Sequence, residues 1–324
     1  MATSRSWRPL TQPDETRRLR LDEIPELNQV FSDAFTERYR RDGMVGVRVP
    51  FLNPVIWRYA IEDADAGAML WRDEGGAIAA FNMVHRSGTE SWMGPLAVRN
   101  DHQGHGLGKD VVTRGVSWLK SQGATVIGLE TMPRTMDNIG FYSRLGFVPG
   151  ALTVTVTVEA GRADEEVRPL GKLPARDRHD MIDECRQLLQ QIAPGFDYTR
   201  EIMLTSELSL GDTLLLFDRD RLAGYALTHT APLVEGRTRD ELRVLKMVLD
   251  DERLFVRMVR ALTDFARKAG TRRVAFRMQG EYGAAYRQLI GLGGHVRWTD
   301  LRMSLDGYLE RRPEKGLVLS NWEI

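Results

Sequence analysis

The stretch that most constrains this 324-residue chain runs Leu96-Ala97-Val98-Arg99-Asn100-Asp101-His102-Gln103-Gly104-His105-Gly106-Leu107-Gly108-Lys109. An apolar run ends at Val98. A polar turn follows, then glycine at every second position, then a helical pattern from Asp110 to Lys120. Glycine lets a backbone turn sharply and come close to a ligand. The first amides of the following helix have no intrahelical partner and favour an anion. Strand, glycine loop and helix in this order read as a cradle for phosphate.

Three cradles share that outline. A P-loop needs Ser or Thr after its Gly-Lys pair, and here Asp110 follows Lys109. A dinucleotide loop needs Gly-x-Gly-x-x-Gly, whereas Gly104, Gly106 and Gly108 are spaced by two throughout. The third is Gln/Arg-x-x-Gly-x-Gly/Ala, which Gln103 to Gly108 fits without substitution. Its companions follow in order. Thr125 to Glu130 is a β-branched strand pattern, and Asn138 to Phe147 ends in Tyr-x-x-x-Gly-Phe. Together these motifs resemble the GCN5-related N-acetyltransferase (GNAT) superfamily, tightly over Ser91 to Pro149 and more loosely over the first half. The resemblance implies an α/β (α+β) fold with a mixed sheet and acetyl-CoA as cosubstrate, with no metal.

Composition narrows the function classes. Lys+Arg 45 balance Asp+Glu 45 at a pI near 7.0, which gives no support to a nucleic-acid surface or to capture by an anionic membrane. The single cysteine, Cys185, leaves no internal disulfide and fits a reducing compartment. Met1 to Arg20 lacks the apolar run of a signal peptide, and no segment has the length of a membrane span. The expectation is a cytoplasmic protein, monomer or homodimer, with a short arm leading to a first strand at Arg17 to Leu21.

Apolar spacing predicts a helix over Leu21 to Phe35, a polar loop or broken helix over Arg38 to Pro50, and a helix over Pro54 to Ile61. Strands are expected at Ala68 to Arg72, Ala77 to Val84 and Thr89 to Val98. Ala151 to Glu159 alternates Thr and Val, so it is expected to close this half as a strand with one wet face. After a charged linker at Glu159 to Arg168 the chain starts again. Trp118 to Leu129 is echoed by Phe265 to Phe276, and Gly146-Phe147-Val148 by Gly294-His295-Val296. The reading is two tandem GNAT-like domains: 1–159, which binds CoA and is catalytic, and 166–324, a degenerate copy. In the second copy Leu249-Asp250-Asp251-Glu252 replaces the glycine loop, and its carboxylates would repel a pyrophosphate. Gly316 to Ile324 forms a last strand or a tail.

The resemblance also assigns roles. The pantetheine arm would pair with the backbone of Leu96, Ala97 and Val98. The pyrophosphate would sit on the amides of Gln103, Gly104, His105, Gly106, Leu107, Gly108 and Lys109. Tyr142 matches the tyrosine that protonates the departing thiolate. The family's CoA-bonding Asn falls at Thr135 here, and Asn138 is the nearby substitute. Glu90 and Glu130, at strand ends, are the candidate bases. His102 and His105 read as loop or phosphate-rim residues, Cys185 as core. Trp57, Trp71 and Trp92 read as core by default and as acceptor-pocket walls otherwise. The function expected is acetyl transfer to an amine on a small molecule or peptide. The competing class is a non-enzymatic acyl-CoA sensor or assembly module.

Overall fold

The computed structural model describes residues 8–9 and 19–322. Arg17 and Arg18 of the expected first strand lie outside the described residues, and Leu21 begins a 3-10 turn instead. The first half contains β1 (Arg8–Pro9), α1 (Ile24–Arg41), α2 (Pro54–Ala64), β2 (Ala68–Arg72), β3 (Ile78–Ser87), β4 (Glu90–Val98), α3 (Leu107–Ser121), β5 (Val126–Thr131), α4 (Met136–Arg144) and β6 (Phe147–Glu159). The second half repeats this order: β7 (Arg168–Pro169), α5 (Ala175–Ile192), α6 (Thr199–Glu207), β8 (Gly211–Asp218), β9 (Arg221–His229), β10 (Glu241–Leu249), α7 (Phe255–Lys268), β11 (Arg273–Gln279), α8 (Gly283–Gly291) and β12 (His295–Leu305). One strand has no counterpart, β13 (Leu317–Ser320).

The helices begin where the sequence provides for it. Asn53 caps α2 by accepting from the Val55 amide, and Pro54 sits in the first turn. α1 runs past the expected end at Phe35 to Arg41. Its last turns are held by ion pairs of Glu37 with Arg41 and of Arg38 with Asp42, each one helical turn apart.

The thirteen strands among the described residues form one sheet, in the order β1-β2-β3-β4-β5-β12-β6-β11-β10-β9-β8-β7, with β13 beside β10. The halves have exchanged their closing strands. β12 of the second half pairs with β5 of the first, and β6 of the first pairs with β11 of the second. The expectation that Ala151 to Glu159 closes its own half is therefore corrected: that strand closes the other one. β6 and β12 meet at the centre, and their register is reciprocal. Leu152 faces Leu301, Thr157 faces His295 and Phe147 faces Leu305. The spacing that takes Gly146 to Gly294 maps the second of these pairs onto the third, as a two-fold relation requires. The expected wet face of β6 is also corrected. Thr153 and Thr157 are buried along with Val156 and Val158, because neighbouring side chains cover both faces.

Side-chain alternation divides the core between the two faces. Phe81 and Met83 of β3 pack with α1, α2, α5 and α6 in a layer that spans both halves. Ala80 and Val84 point the other way, to α3 and α4. α7 and α8 cover the same face of the second half. Both halves thus share one helical layer as well as one sheet.

Candidate active site

β4 and β5 run parallel and paired only from Glu90–Val126 to Met93–Leu129. Beyond Met93 they separate into a fork. On its other edge β4 shifts register against β3 between Asn82 and Val84, then pairs again from Leu96 to Val98. The edge of Leu96, Ala97 and Val98 that faces the fork has no strand beside it, so its backbone groups, apart from the Val98 carbonyl that Gln103 occupies, are open to an extended ligand.

The fork opens into a cleft of about 220 Å³ lined by Leu96, Ala97, Val98, Gln103, Gly108, Asn138 and Tyr142, with Ala34, Phe35, Arg38, Arg41 and Phe141 on the remaining walls. The glycine loop stands at its end. Gly104 and Gly106 adopt φ of +80° and +87°, and a Cβ at either would meet nothing within 4 Å. The loop is therefore shaped by backbone conformation and leaves room against its amides. Gly108 is already helical and needs no such freedom. α3 begins at Leu107 with Gly106 as a cap that has no side chain, so its first amides face the opening. Leu107 itself is buried in the α3 core and offers only its backbone, while His105 and Lys109 are exposed. Gln103 donates to the Val98 carbonyl at 2.9 Å and accepts from Arg41 at 3.2 Å, fixing the loop to the strand end.

Arg38 and Arg41 escape a sequence reading that ends α1 at Phe35. The signal was present in Glu37 and Arg41, an acid and a base at helical spacing. The two arginines stand on the cleft wall, each already paired with an acid, Arg38 with Asp42 and Arg41 with Glu37.

Tyr142 is buried against Phe141 and Phe147 and lines the cleft. Burial pushes its phenol up to about 12, so it stays protonated at neutral pH and serves as a donor. Asn138 lines the same cleft, with its amide 3.4 Å from Thr131 Oγ1. Thr135 is fully buried and donates to Asp42 at 2.5 Å, which commits it to tying α4 to the end of α1.

The expected bases lie elsewhere. Glu90 does not line the cleft: it is completely buried, accepting from Tyr198 at 3.0 Å and from the Trp322 indole at 2.9 Å. Both partners come from the second half, so the reading of Glu90 as a cleft-facing base is corrected. Glu130 is equally enclosed. Burial alone would raise its pKa, but Arg277 and Arg302 outweigh that and hold it at about 2. A carboxylate that firmly ionised is a poor proton acceptor. His102 is buried beside Arg99, at 2.7 Å, and is no part of a phosphate rim. Cys185, Trp57 and Trp71 are core residues, and burial raises the cysteine thiol. Trp92 belongs to a cluster at the junction of the halves, stacked on His85 and paired in the core with Trp322.

Among the described residues no helix is long and apolar enough to cross a membrane, and no cluster of His, Cys, Asp and Glu is arranged to hold a metal.

Residues 25–147 match the sequence profile described as the acetyltransferase (GNAT) family. No curated protein matches the chain. Several solved structures share the fold over nearly the whole chain. A protein from Pyrococcus horikoshii assigned as an acetyltransferase superposes with a TM-score of 0.63 at 17% identity, covering 89% of this chain and 88% of its own. A GCN5-related N-acetyltransferase from Sphaerobacter thermophilus gives 0.57 at 14% identity, covering 94% and 97%. The N-myristoyltransferase of Saccharomyces cerevisiae, solved with myristoyl-CoA, gives 0.58 at 10% identity, covering 94% and 79%.

Proposed function

We propose that the chain, whose residues 25–147 match the acetyltransferase (GNAT) family profile, is an acyl-CoA-dependent acyltransferase that moves an acetyl group from acetyl-CoA to an amine on a small molecule or peptide. The observation that carries the reading is the fork with its open strand edge, opening into the cleft beside the glycine loop and Tyr142.

The residues present fit the cosubstrate. The open edge of Leu96 to Val98 suits the amide-bearing pantetheine arm. The room over Gly104 and Gly106, and the amides at the start of α3, suit its pyrophosphate. Bound there, acetyl-CoA supplies an activated thioester carbonyl at the fork. The protein's part is to hold that carbonyl still, admit a neutral amine and return a proton to the sulfur. Tyr142 is placed for the last step. It lines the cleft and holds its phenolic proton at neutral pH, so it can hydrogen-bond the sulfur and share that proton as negative charge develops there. With Glu90 and Glu130 engaged elsewhere, the amine proton leaves to solvent through the open mouth of the cleft.

Calorimetry with acetyl-CoA tests the reading. One site per chain is expected, abolished by Gly106→Glu, whose carboxylate would fill the cradle and repel phosphate. With an amine acceptor found by screening for CoA release, Tyr142→Phe should leave binding of acetyl-CoA within about twofold and lower kcat on the order of 10²-fold. Absence of binding, or two equal sites, refutes the assignment of the cleft. An unchanged kcat refutes the role of Tyr142.

A further inference from the structure

The second half keeps neither of the features that shape the cleft of the first. Asp250, Asp251 and Glu252 stand where the first half has its glycine loop. β10 pairs in parallel with β11 from Glu241–Arg273 to Arg243–Ala275 and then leaves it, as β4 leaves β5, but β13 fills that second fork. Ser320, Leu319, Val318 and Leu317 pair antiparallel with Lys246, Met247, Val248 and Leu249, and Leu317, Val318 and Leu319 are buried there. The groove of this half is occupied by its own chain, so a ligand of the second half has to lie elsewhere.

A cavity of about 340 Å³ lies between the start of β8, the end of β9 and the last turn of α7, open to solvent. This is the small end of the range for ligand pockets, roughly 300–1,000 Å³. It shares no wall residue with the cleft beside the glycine loop. The matching place in the first half is filled by a tryptophan. Gly67 and Gly211 correspond: each follows by two a left-handed residue, Asp65 at φ 50° or Ser209 at φ 53°, and a Cβ at either would collide with a carbonyl of the next strand, Val84 or Thr228. At Gly67 the Trp118 ring also comes within 2.9 Å of the Cβ position, whereas at Gly211 the nearest atoms are all backbone of β9. Phe265 holds the place of Trp118, each five residues before a glycine of positive φ, Gly270 or Gly123. The smaller ring is half-buried and lines the cavity. Around it Ala68 gives way to Asp212 and Val84 to Thr228, so an apolar corner in one half is polar in the other.

The wall carries one acid and one base. Asp212 Oδ1 accepts from the amides of Gly171 at 3.0 Å and Thr213 at 2.8 Å. Oδ2 takes neither, and Gly171 leaves it uncovered, since a Cβ there would lie 2.8 Å from it. Arg178 and Lys172 act on the carboxylate through charge alone, without a hydrogen bond, and the Arg178 guanidinium donates instead to the carbonyls of Leu173 and Gly171. Burial outweighs these groups and raises the Asp212 carboxyl above its ordinary range, a cost that a cation at Oδ2 would relieve. The hydroxyls of Thr228 and Thr271 donate to the carbonyls of Asp212 and Ala266 at 2.8 and 3.0 Å, which leaves their oxygens as acceptors. Arg239, exposed on the connection between β9 and β10, is the base. Phe265 and Ala269 are the apolar part of the wall. We propose that this cavity is a second ligand site, which binds a free α-amino acid. The ammonium pairs with Asp212 and the threonine oxygens, the carboxylate pairs with Arg239, and an apolar side chain packs on Phe265 and Ala269. The site is separate from the cleft and does not rest on its reading as an acyl-CoA site.

The full chain is titrated with the standard L-amino acids, followed by thermal unfolding and, for those that act, by calorimetry. At least one aliphatic or aromatic amino acid should bind at one site per chain and raise Tm by about 3 °C at roughly tenfold over its Kd. Its amide lacks the carboxylate and its des-amino acid lacks the ammonium, so each should bind about tenfold more weakly or worse. Arg239→Gln should weaken the amino acid by a similar factor and leave the amide unaffected. Asp212→Asn should weaken the amino acid likewise and leave the des-amino acid unaffected. Phe265→Trp returns the corner to the packing of the first half and should abolish binding; if that variant does not fold, Ala269→Trp, at an exposed position of the same wall, blocks the cavity instead. Acetyl-CoA affinity of these variants should stay within about twofold of wild type, as distant sites behave independently. Failure of every amino acid to bind overturns the proposal. So does binding that survives the cavity-filling variant, which would place the amino acid in the cleft as an acceptor. Equal affinity for the amino acid and its two analogues, or tighter binding of a neutral sugar such as glucose, overturns the pairing of both charges.

Discussion

Glu130→Gln separates a structural carboxylate from a catalytic one. Glu130 sits on β5 with its side chain 3% exposed. It accepts from Arg302 of β12 at 2.9 Å, from Thr153 of β6 at 2.6 Å, and from Arg277 of β11. One carboxylate thus joins four strands across the exchange. Its pKa falls from 4.5 to about 2 in the folded chain. At 1.36 kcal/mol per unit, that depression is worth about 3 kcal/mol at neutral pH. Removing one partner of a buried ion pair costs roughly 3–5 kcal/mol in general, because the remaining charges are left uncompensated. The two routes agree, so Glu130→Gln should destabilise the chain by about 3 kcal/mol. At roughly 2 °C per kcal/mol for a large domain, this is a fall in Tm of about 6 °C. The folded pKa lies below the unfolded one, so the contribution is present above pH 4.5 and lost as pH falls through about 2. The gap between variant and wild type should therefore be full at pH 7 and narrow at pH 3, read by urea unfolding at both. Activity of the folded variant at 20 °C should stay within about twofold. A loss of stability under about 1 kcal/mol at pH 7 would refute the strut. A 100-fold loss of kcat in a folded variant would return Glu130 to the chemistry.

Two further outcomes follow from the same core. Residues 1–159 expressed alone should aggregate, since both partners of β6 and the outer partner of β5 lie in the second half; co-expression with 160–324 should restore acetyl-CoA binding, and a monodisperse fragment that binds it would refute this. Glu201 is completely buried, and burial, aided by Asp63 and opposed by Lys246, raises its pKa from 4.5 to about 8. Its stabilising contribution is present below pH 4.5 and lost as pH rises through about 8, so Glu201→Gln should gain Tm over wild type at pH 9 and little at pH 5; a pH-independent difference would show that the group does not titrate there.

Local elements were legible because their determinants are local. The loop conformation follows from Gly104 and Gly106, the start of α2 from Asn53-Pro54, the hairpin of β2 and β3 from the turn at Asp73-Glu74-Gly75-Gly76, and β5 from its β-branched run. Asp250-Asp251-Glu252 stand in the second half where the first half has its glycine loop. What the sequence did not show was which strand lies beside which. The Thr-Val alternation of β6 specifies two faces, and it would serve as well beside β5 as between β12 and β11. Side-chain period encodes face, not neighbour. Glu90 failed for a related reason. Its partners, Tyr198 and Trp322, lie 108 and 232 positions away, and no local pattern marks a carboxylate that distant residues will enclose. The final segment reads as a last strand or a tail and not as the filler of a groove, because that groove exists only once β10 and β11 have parted.

The reciprocal pairing of β6 and β12 has a genetic consequence. Residues that border the acyl-CoA fork are encoded in both halves of the reading frame: β12 lies against β5, while β6, encoded in the first half, supports the second. A lesion mapped to His295–Leu305 should therefore show itself as a defect at the fork between β4 and β5. Lesions in residues 154–159, which pair with β11, should bear first on the half that carries no cradle. Because each half completes the other, two defective copies of the protein, one damaged in each half, have a route to mutual rescue.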